Sequence, residues 1–277
     1  MQANVRLIPP IRLAPQPDPL PETSMRALLE HVVAGVRRLR RERLVRGFYF
    51  MRKPPGLRLR FALRGGPARA PARDQIAALM DRAVKLRLAR SWFPSAYEPE
   101  VFKFGGPAAM GAVHAHVFAD TQAWWRWQQP PAEGDRQLPP ALLSMAVLND
   151  LFARFVDGPE EIWDVWRRLA ALHGDSLVDA AAALAPVRPA HLVERVGARH
   201  QRVLRAYEQA NARFARACRR LHERGRLLYA YRLLLPHVAL GHWNRLGLSL
   251  AERRSIYAAM TAAWAPSVHG HVATKGE

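Results

Sequence analysis

The chain has 277 residues, 49% hydrophobic and 23% charged, with 42 Lys and Arg against 23 Asp and Glu, a formal excess of +19. That composition and length suit a folded protein with one large core or two smaller ones, and they exclude intrinsic disorder, collagen-like sequence and a coiled-coil rod. No apolar run reaches the ~18 residues of a membrane span and no signal peptide is read at the start, so the expected location is the cytoplasm; the single cysteine, Cys218, excludes an internal disulfide.

In chain order, a proline-punctuated start leads to Thr23 or Ser24 as the cap of a helix whose apolar stripe is Met25, Leu28, Leu29, Val32, Val33 and Val36. Its far end is basic, with Arg37, Arg38, Arg40, Arg41 and Arg43 suited to the helix dipole and to an anionic partner. Two β-rich runs, 47–52 and 57–63, flank the turn Lys53-Pro-Pro-Gly56 and predict a hairpin. A period of two puts Leu57, Leu59 and Phe61 on one face and Arg58 and Arg60 on the other, with no acid in the facing strand to pair with them.

Residues 73–90 predict an amphipathic helix, and 97–104 an extended segment ending at Gly105 and Gly106. Pro107 opens a helix through Met110, Val113 and Val117, and Asp120 or Thr121 caps a further one carrying Trp124, Trp125 and Trp127. After a loop over 129–140 the periodicity is helical: 141–156, 160–172, 175–184, 190–224, 227–243 with a kink at Pro236, and 250–264. Strands gather early and helices late without βαβ alternation, which predicts an α+β class: a β-rich N-terminal part with a strand hairpin packed against a mostly helical C-terminal half. The whole of 1–277 is expected to form one domain.

The motifs of P-loop, dinucleotide-binding, zincin and serine-hydrolase proteins are absent; the histidine groupings are His114 with His116, His237 with His242, and His269 with His271, and the first is spaced so that the rings diverge on a helix while the last falls in the tail. No metal and no cofactor is expected. The chemistry must therefore come from positioned side chains.

Three ordered motifs carry a resemblance. The run F-Y-F-M-R-K-P-P-G-L-R-L-R-F from Phe48 to Phe61 resembles the hairpin F-F-I-R-Y-x-D-P-G-P-H-L-R-L-R-F of the lantibiotic-dehydratase C-terminal, or elimination, domain, also described as a thiopeptide-type bacteriocin biosynthesis domain. Y-E-P-E-V-F-K-F-G-G from Tyr97 to Gly106 is similar to that family's Y-E-P-E-x-E-R-Y-G-G, Ala109 to Asp120 follows at the expected place, and G-H-W-N-R-L from Gly241 to Leu246 is similar to H-M-H-x-N-R-L.

The resemblance implies one of two chemistries. Some members remove glutamate from a glutamylated Ser or Thr of a precursor peptide; stand-alone members join two dehydroalanines in a formal [4+2] aza-cycloaddition and then expel water and the leader peptide, leaving a pyridine. Here Lys103 stands where eliminases carry arginine, Leu240 stands where the first histidine of H-M-H would be, and the turn aspartate is missing. Lysine lacks the bidentate fork and leucine cannot be a base, so the departures point to a pyridine synthase, with a glutamate-eliminating subunit as the alternative and a non-catalytic peptide- or tRNA-binding subunit as a third.

Under the cyclase reading, Tyr257, His242, Lys103 and Ser249 are the expected catalytic donors or proton shuttles. Arg58 and Arg60 would orient peptide oxygens, Trp243 would stack on a thiazole, and Asn244 and Arg245 would brace the site. The expected partners are the acidic leader, held by Arg37, Arg38, Arg40 and Arg41, and the dehydrated, azole-bearing core of a thiopeptide precursor. No membrane is expected, no nucleic acid beyond the tRNA of the alternative, and homodimerisation is left open.

Overall fold

Alternation along the arginine hairpin sets the first layer. The computed structural model describes residues 1–6, 22–53, 56–130, 137–172 and 196–266, and it divides into two compact units, Met1–Pro99 and Glu100–Glu277. In the first unit a four-stranded antiparallel sheet has the order β2-β3-β1-β4, with β1 Gln2–Arg6, β2 Val45–Lys53, β3 Gly56–Leu63 and β4 Ser91–Ser95. Leu57, Leu59 and Phe61 are buried on one face while Arg58 and Arg60 stand half-buried on the other, as the period of two requires.

The apolar face meets α1 (Glu22–Arg41) and α2 (Arg69–Lys85). Met25, Leu28, Leu29, Val32 and Val36 form the buried stripe of α1, opposed by Ile76, Leu79 and Met80 of α2. Gly35 lets the helices close, since a Cβ there would lie 2.5 Å from a Leu79 methyl. Each such side chain contributes about 1.5–3 kcal/mol by leaving water.

The second unit is helical: α3 Met110–Trp127, α4 Pro140–Ala153, α5 Pro159–Ala171, α6 Ala198–Glu223, α7 Tyr231–Leu246 and α8 Leu250–Trp264. Helix α4 is apolar nearly all round, with Leu143 to Leu148 buried in succession, so it lies inside the unit rather than on its surface.

The α+β class stands, with the sheet in the N-terminal part and helices in the C-terminal half. Several expectations are corrected. The first helix already begins at Glu22, ahead of Thr23 and Ser24. Strands β1 and β4 are additional to the expected hairpin: each has only five residues, too few for a clear period of two, and Pro94 inside β4 argues locally against a strand. Residues 97–104 end in a 3-10 turn, Val101–Phe104, rather than a strand. Asp120 caps nothing: α3 runs unbroken through it, and its side chain is only 2% exposed. The expected helix over 175–184 lies outside the described residues, as do the Pro54-Pro55 turn and part of the 129–140 loop.

Candidate functional site

In the first unit, the polar sheet face is built rung by rung. Antiparallel register aligns Tyr49, Arg60, Gln2 and Ser95 across all four strands, and Met51, Arg58, Asn4 and Phe93 one step along. Arg60 donates to Gln2 Oε1 at 3.0 Å and to the Tyr49 hydroxyl at 2.8 Å, and its guanidinium stacks 4.5 Å from the Tyr97 ring centroid. Gln2 and Asn4 both donate to Ser95 Oγ at 2.8 Å. Neutral groups thus fix the Arg60 guanidinium, and no carboxylate among the described residues bonds it or Arg58. A held but unneutralised cation is suited to a carboxylate or a peptide oxygen.

The second unit holds a buried ionic knot. Arg245 Nε donates to Asp120 Oδ2 at 2.8 Å, a second Arg245 nitrogen contacts the same oxygen, and His242 Nδ1 donates to Asp120 Oδ1 at 3.1 Å. Burial alone would raise the Asp120 carboxyl, but Arg245 and His242 beside it hold it well below the usual carboxylate range. Tyr207 stands edge-on to the His242 ring with centroids 5.6 Å apart, and its phenol is pushed well above its ordinary value by burial and then by the Asp120 charge. His116, stacked on Phe214, is lowered to about 4, first by burial, with the Asp120 charge opposing and Arg245 adding to the fall.

On the same unit, Phe102, Lys103, Arg168, Ala171, Leu172, Tyr229, Arg232, Leu233, Pro236 and His237 line an open cleft of about 410 Å³. Two glycines position its lip. Gly105 and Gly106 sit at φ 82° and 96°, where a Cβ would lie 2.6 Å from Leu227 and Leu228 methyls, and Leu228 N donates to Gly105 O at 3.0 Å. This close approach holds the 3-10 turn carrying Phe102 and Lys103. Large apolar side chains face solvent here, with Phe102 65% exposed and Leu233 46%. The cations are paired at the surface: Lys103 with Glu100 at 2.7 Å, Arg168 with Asp164 at 2.8 Å, and Arg232 with Asp164 at 3.4 Å.

Of the expected catalytic residues, only Lys103 lines this cleft. His242 is 2% exposed and committed to Asp120, so it braces α3 against α7 instead of shuttling protons. Trp243 is fully buried with Nε1 donating to Ser144 Oγ at 2.6 Å, so its ring packs in the core and offers no face to a thiazole. Ser249 caps α8 through a capping box with Glu252, its Oγ accepting from Glu252 N at 3.2 Å. Tyr257 is 2% exposed inside α8. Asn244 is half-buried, and Arg245 is ion-paired to Asp120 inside the helical unit. Arg37, Arg38, Arg40 and Arg41 are exposed, with Arg38 alone of the four ion-paired among the described residues, to Glu42 at 3.8 Å.

Two further side chains stand at these positions without being singled out by their local sequence, Asp120 in the ionic knot and His237 in the cleft. Asp120 reads locally as a helix cap, and only the fold brings His242 and Arg245, more than 120 residues away, to its carboxylate; no local pattern distinguishes His237 from the other histidines. Among the described residues no group of three His, Cys, Asp or Glu side chains could hold a metal ion, and no helix is long and apolar enough to cross a membrane.

The sequence model of the family described as lantibiotic biosynthesis dehydratase C-term matches residues 20–264. No curated protein matches the chain significantly. Among solved structures, the crystal structure of the tRNA-dependent lantibiotic dehydratase MibB from Microbispora sp. 107891 is similar over 95% of this chain, with a TM-score of 0.65 and 17% identity. The match covers 27% of that dehydratase, so the chain spans about a quarter of its length, and at that identity it shows the fold.

Proposed function

The chain belongs to the lantibiotic biosynthesis dehydratase C-terminal family, and within it we propose that the protein is a thiopeptide pyridine synthase. Membership supports an enzyme of peptide-antibiotic biosynthesis acting on a precursor peptide. The cyclase joins two dehydroalanines of a leader-bearing, azole-containing peptide and releases water and leader, with no cofactor.

The observation that carries this reading is the chemistry at two motif positions. Lys103, on the cleft lip, offers a point charge where elimination would use a guanidinium fork, and Leu240, half-buried on α7, offers no base. A substrate that brings both alkenes asks mainly for proximity and for a donor to the amide oxygen, which a shallow apolar cleft with one ammonium on its lip supplies. In this account Arg58 and Arg60 orient peptide oxygens, and Arg37, Arg38, Arg40 and Arg41 hold the acidic leader.

Glutamate elimination is the second reading. The favouring observation is the carboxylate-free setting of Arg58 and Arg60, which would also receive a glutamyl carboxylate. The fold shared with a tRNA-dependent dehydratase fits it equally. Incubation with a leader-bearing peptide containing two dehydroalanines, and separately with a glutamylated peptide, separates the readings by mass spectrometry. Release of intact leader with a macrocycle supports the cyclase; loss of glutamate alone replaces it with elimination; binding without turnover leaves a peptide-binding subunit.

A further inference from the structure

We propose that His237 is the catalytic proton-transfer residue of the cleft, acting with Lys103 on the amide that must become an imidic acid before cyclisation. This rests on the cyclase reading. His237 lines the 410 Å³ cleft together with Lys103. Its ring lies edge-on to Phe104 with centroids 6.2 Å apart, and no hydrogen bond among the described residues occupies either ring nitrogen. Whereas His237 is half-buried, the buried histidines are committed elsewhere: His242 to Asp120, His116 to its stack on Phe214, and His200, whose Nε2 accepts from Leu138 N at 3.1 Å. Leu240 vacates the motif position where a base would stand, and His237 sits three residues earlier, on the same side of α7 and under one turn away.

The electrostatics agree. Burial and then the Lys103 charge lower His237, with Glu100 opposing, so the ring is a neutral imidazole near pH 7 and can accept a proton. The charged groups around it are Lys103 and Glu100 at the 3-10 turn, Arg168 with Asp164 on α5, and Arg232 on α7 with its partners Asp164 and Glu161. From α3, Asp120 faces Arg245 and His242 instead. The step balances: the amide N–H bond breaks with its proton passing to His237, an O–H bond forms at the carbonyl oxygen with a proton from Lys103, and return of the proton from His237 to Lys103 through water restores both groups. No oxidant or reductant enters. Phe102, Tyr229 and Leu233 supply flat and aliphatic surfaces against which planar azoles can lie.

The test measures single-turnover cyclisation by wild type, His237→Gln and His237→Ala from pH 5 to 9, with leader affinity and thermal unfolding recorded for each. The expected result is a loss of about 100-fold or more in His237→Gln, within the usual range for a proton-transfer group. Leader affinity and unfolding temperature should be unchanged, the wild-type fall in rate toward acid should vanish, and imidazole should partly restore His237→Ala. Rates within about threefold of wild type with the acid limb intact overturn the proposal, since such groups contribute far more. If wild type eliminates glutamate and does not cyclise, the cyclase reading falls; the same variants are then assayed on the glutamylated peptide, where loss of elimination keeps His237 as the base and full activity removes it. Wild type inert on both peptides overturns both claims.

Discussion

Arg245 and Asp120 form an ion pair in which each side chain is only 2% exposed, joining the last sequence motif on α7 to the middle of α3. A charge at that depth is tolerated because it is matched, and removing one member strands the other. Asp120→Asn or Asp120→Ala should therefore destabilise the protein by about 3–5 kcal/mol, whereas replacing Asp120 and Arg245 together by apolar residues should recover much of that loss. Urea denaturation of the single and double variants checks this. A single variant within about 0.5 kcal/mol of wild type, the range expected of a surface change, would mean the pair is not structural.

The same knot sets an acid limit on stability. His116 is lowered from 6.5 to about 4 in the folded protein, so between those values the unfolded chain binds a proton that the native state does not. Stability should fall as pH drops through that window, by on the order of 3 kcal/mol across it, given about 1.4 kcal/mol per unit. Asp120, held low, adds stability that is present above the unfolded carboxylate value of about 4 and is lost as pH falls below it. His116→Phe should flatten the first part of the profile and leave the second; an unchanged profile between pH 6.5 and 4 would exclude His116 as its source.

Gly105 is required by its backbone. At φ 82° an alanine is strained by roughly 1–2 kcal/mol, and its methyl would also meet Leu227. Gly105→Ala should cost about that much stability and lower turnover by displacing Lys103 from the cleft. Gly111 lies inside α3 with open space at its Cβ, so Gly111→Ala should instead gain about 0.5–1 kcal/mol. Thermal unfolding and turnover of the two variants, compared side by side, report the difference.

Leader binding should be electrostatic. Affinity for an acidic leader should fall steeply between low and physiological salt, since exposed charges are screened beyond roughly 8–10 Å. Replacing Arg37, Arg40 and Arg41 by glutamine should weaken binding at a stability cost limited to about 0.3–1 kcal/mol per position from the lost helix-dipole interaction, because these side chains are exposed and unpaired among the described residues. Fluorescence anisotropy with labelled leader measures both effects. Affinity indifferent to salt would assign the +19 excess to another partner.

The hairpin face, the family and most helices were legible because each is written locally, in a period of two, an ordered motif or a 3.6-residue stripe. Arg58 and Arg60 fell where the alternation put them. The accessibility of individual side chains was less legible because burial is a tertiary property: His242 and Trp243 look as available in sequence as His237, yet the first is spent on Asp120 and the second on Ser144. Ser249 looked like a donor beside a motif and is a cap, although Glu252 three residues on is the local sign of a capping box. Asp120 carried the opposite error, since a carboxylate before an aromatic helix reads as a cap until an arginine 125 residues away is brought to it.

Cyclase activity is read most directly from the mass of the products when purified protein meets a leader-bearing peptide with two dehydroalanines, without tRNA. A pyridine synthase should yield intact leader peptide and a pyridine-centred macrocycle that together differ from the substrate by one water. An unchanged dehydroalanine peptide, with glutamate lost from a glutamylated one, would contradict the cyclase reading.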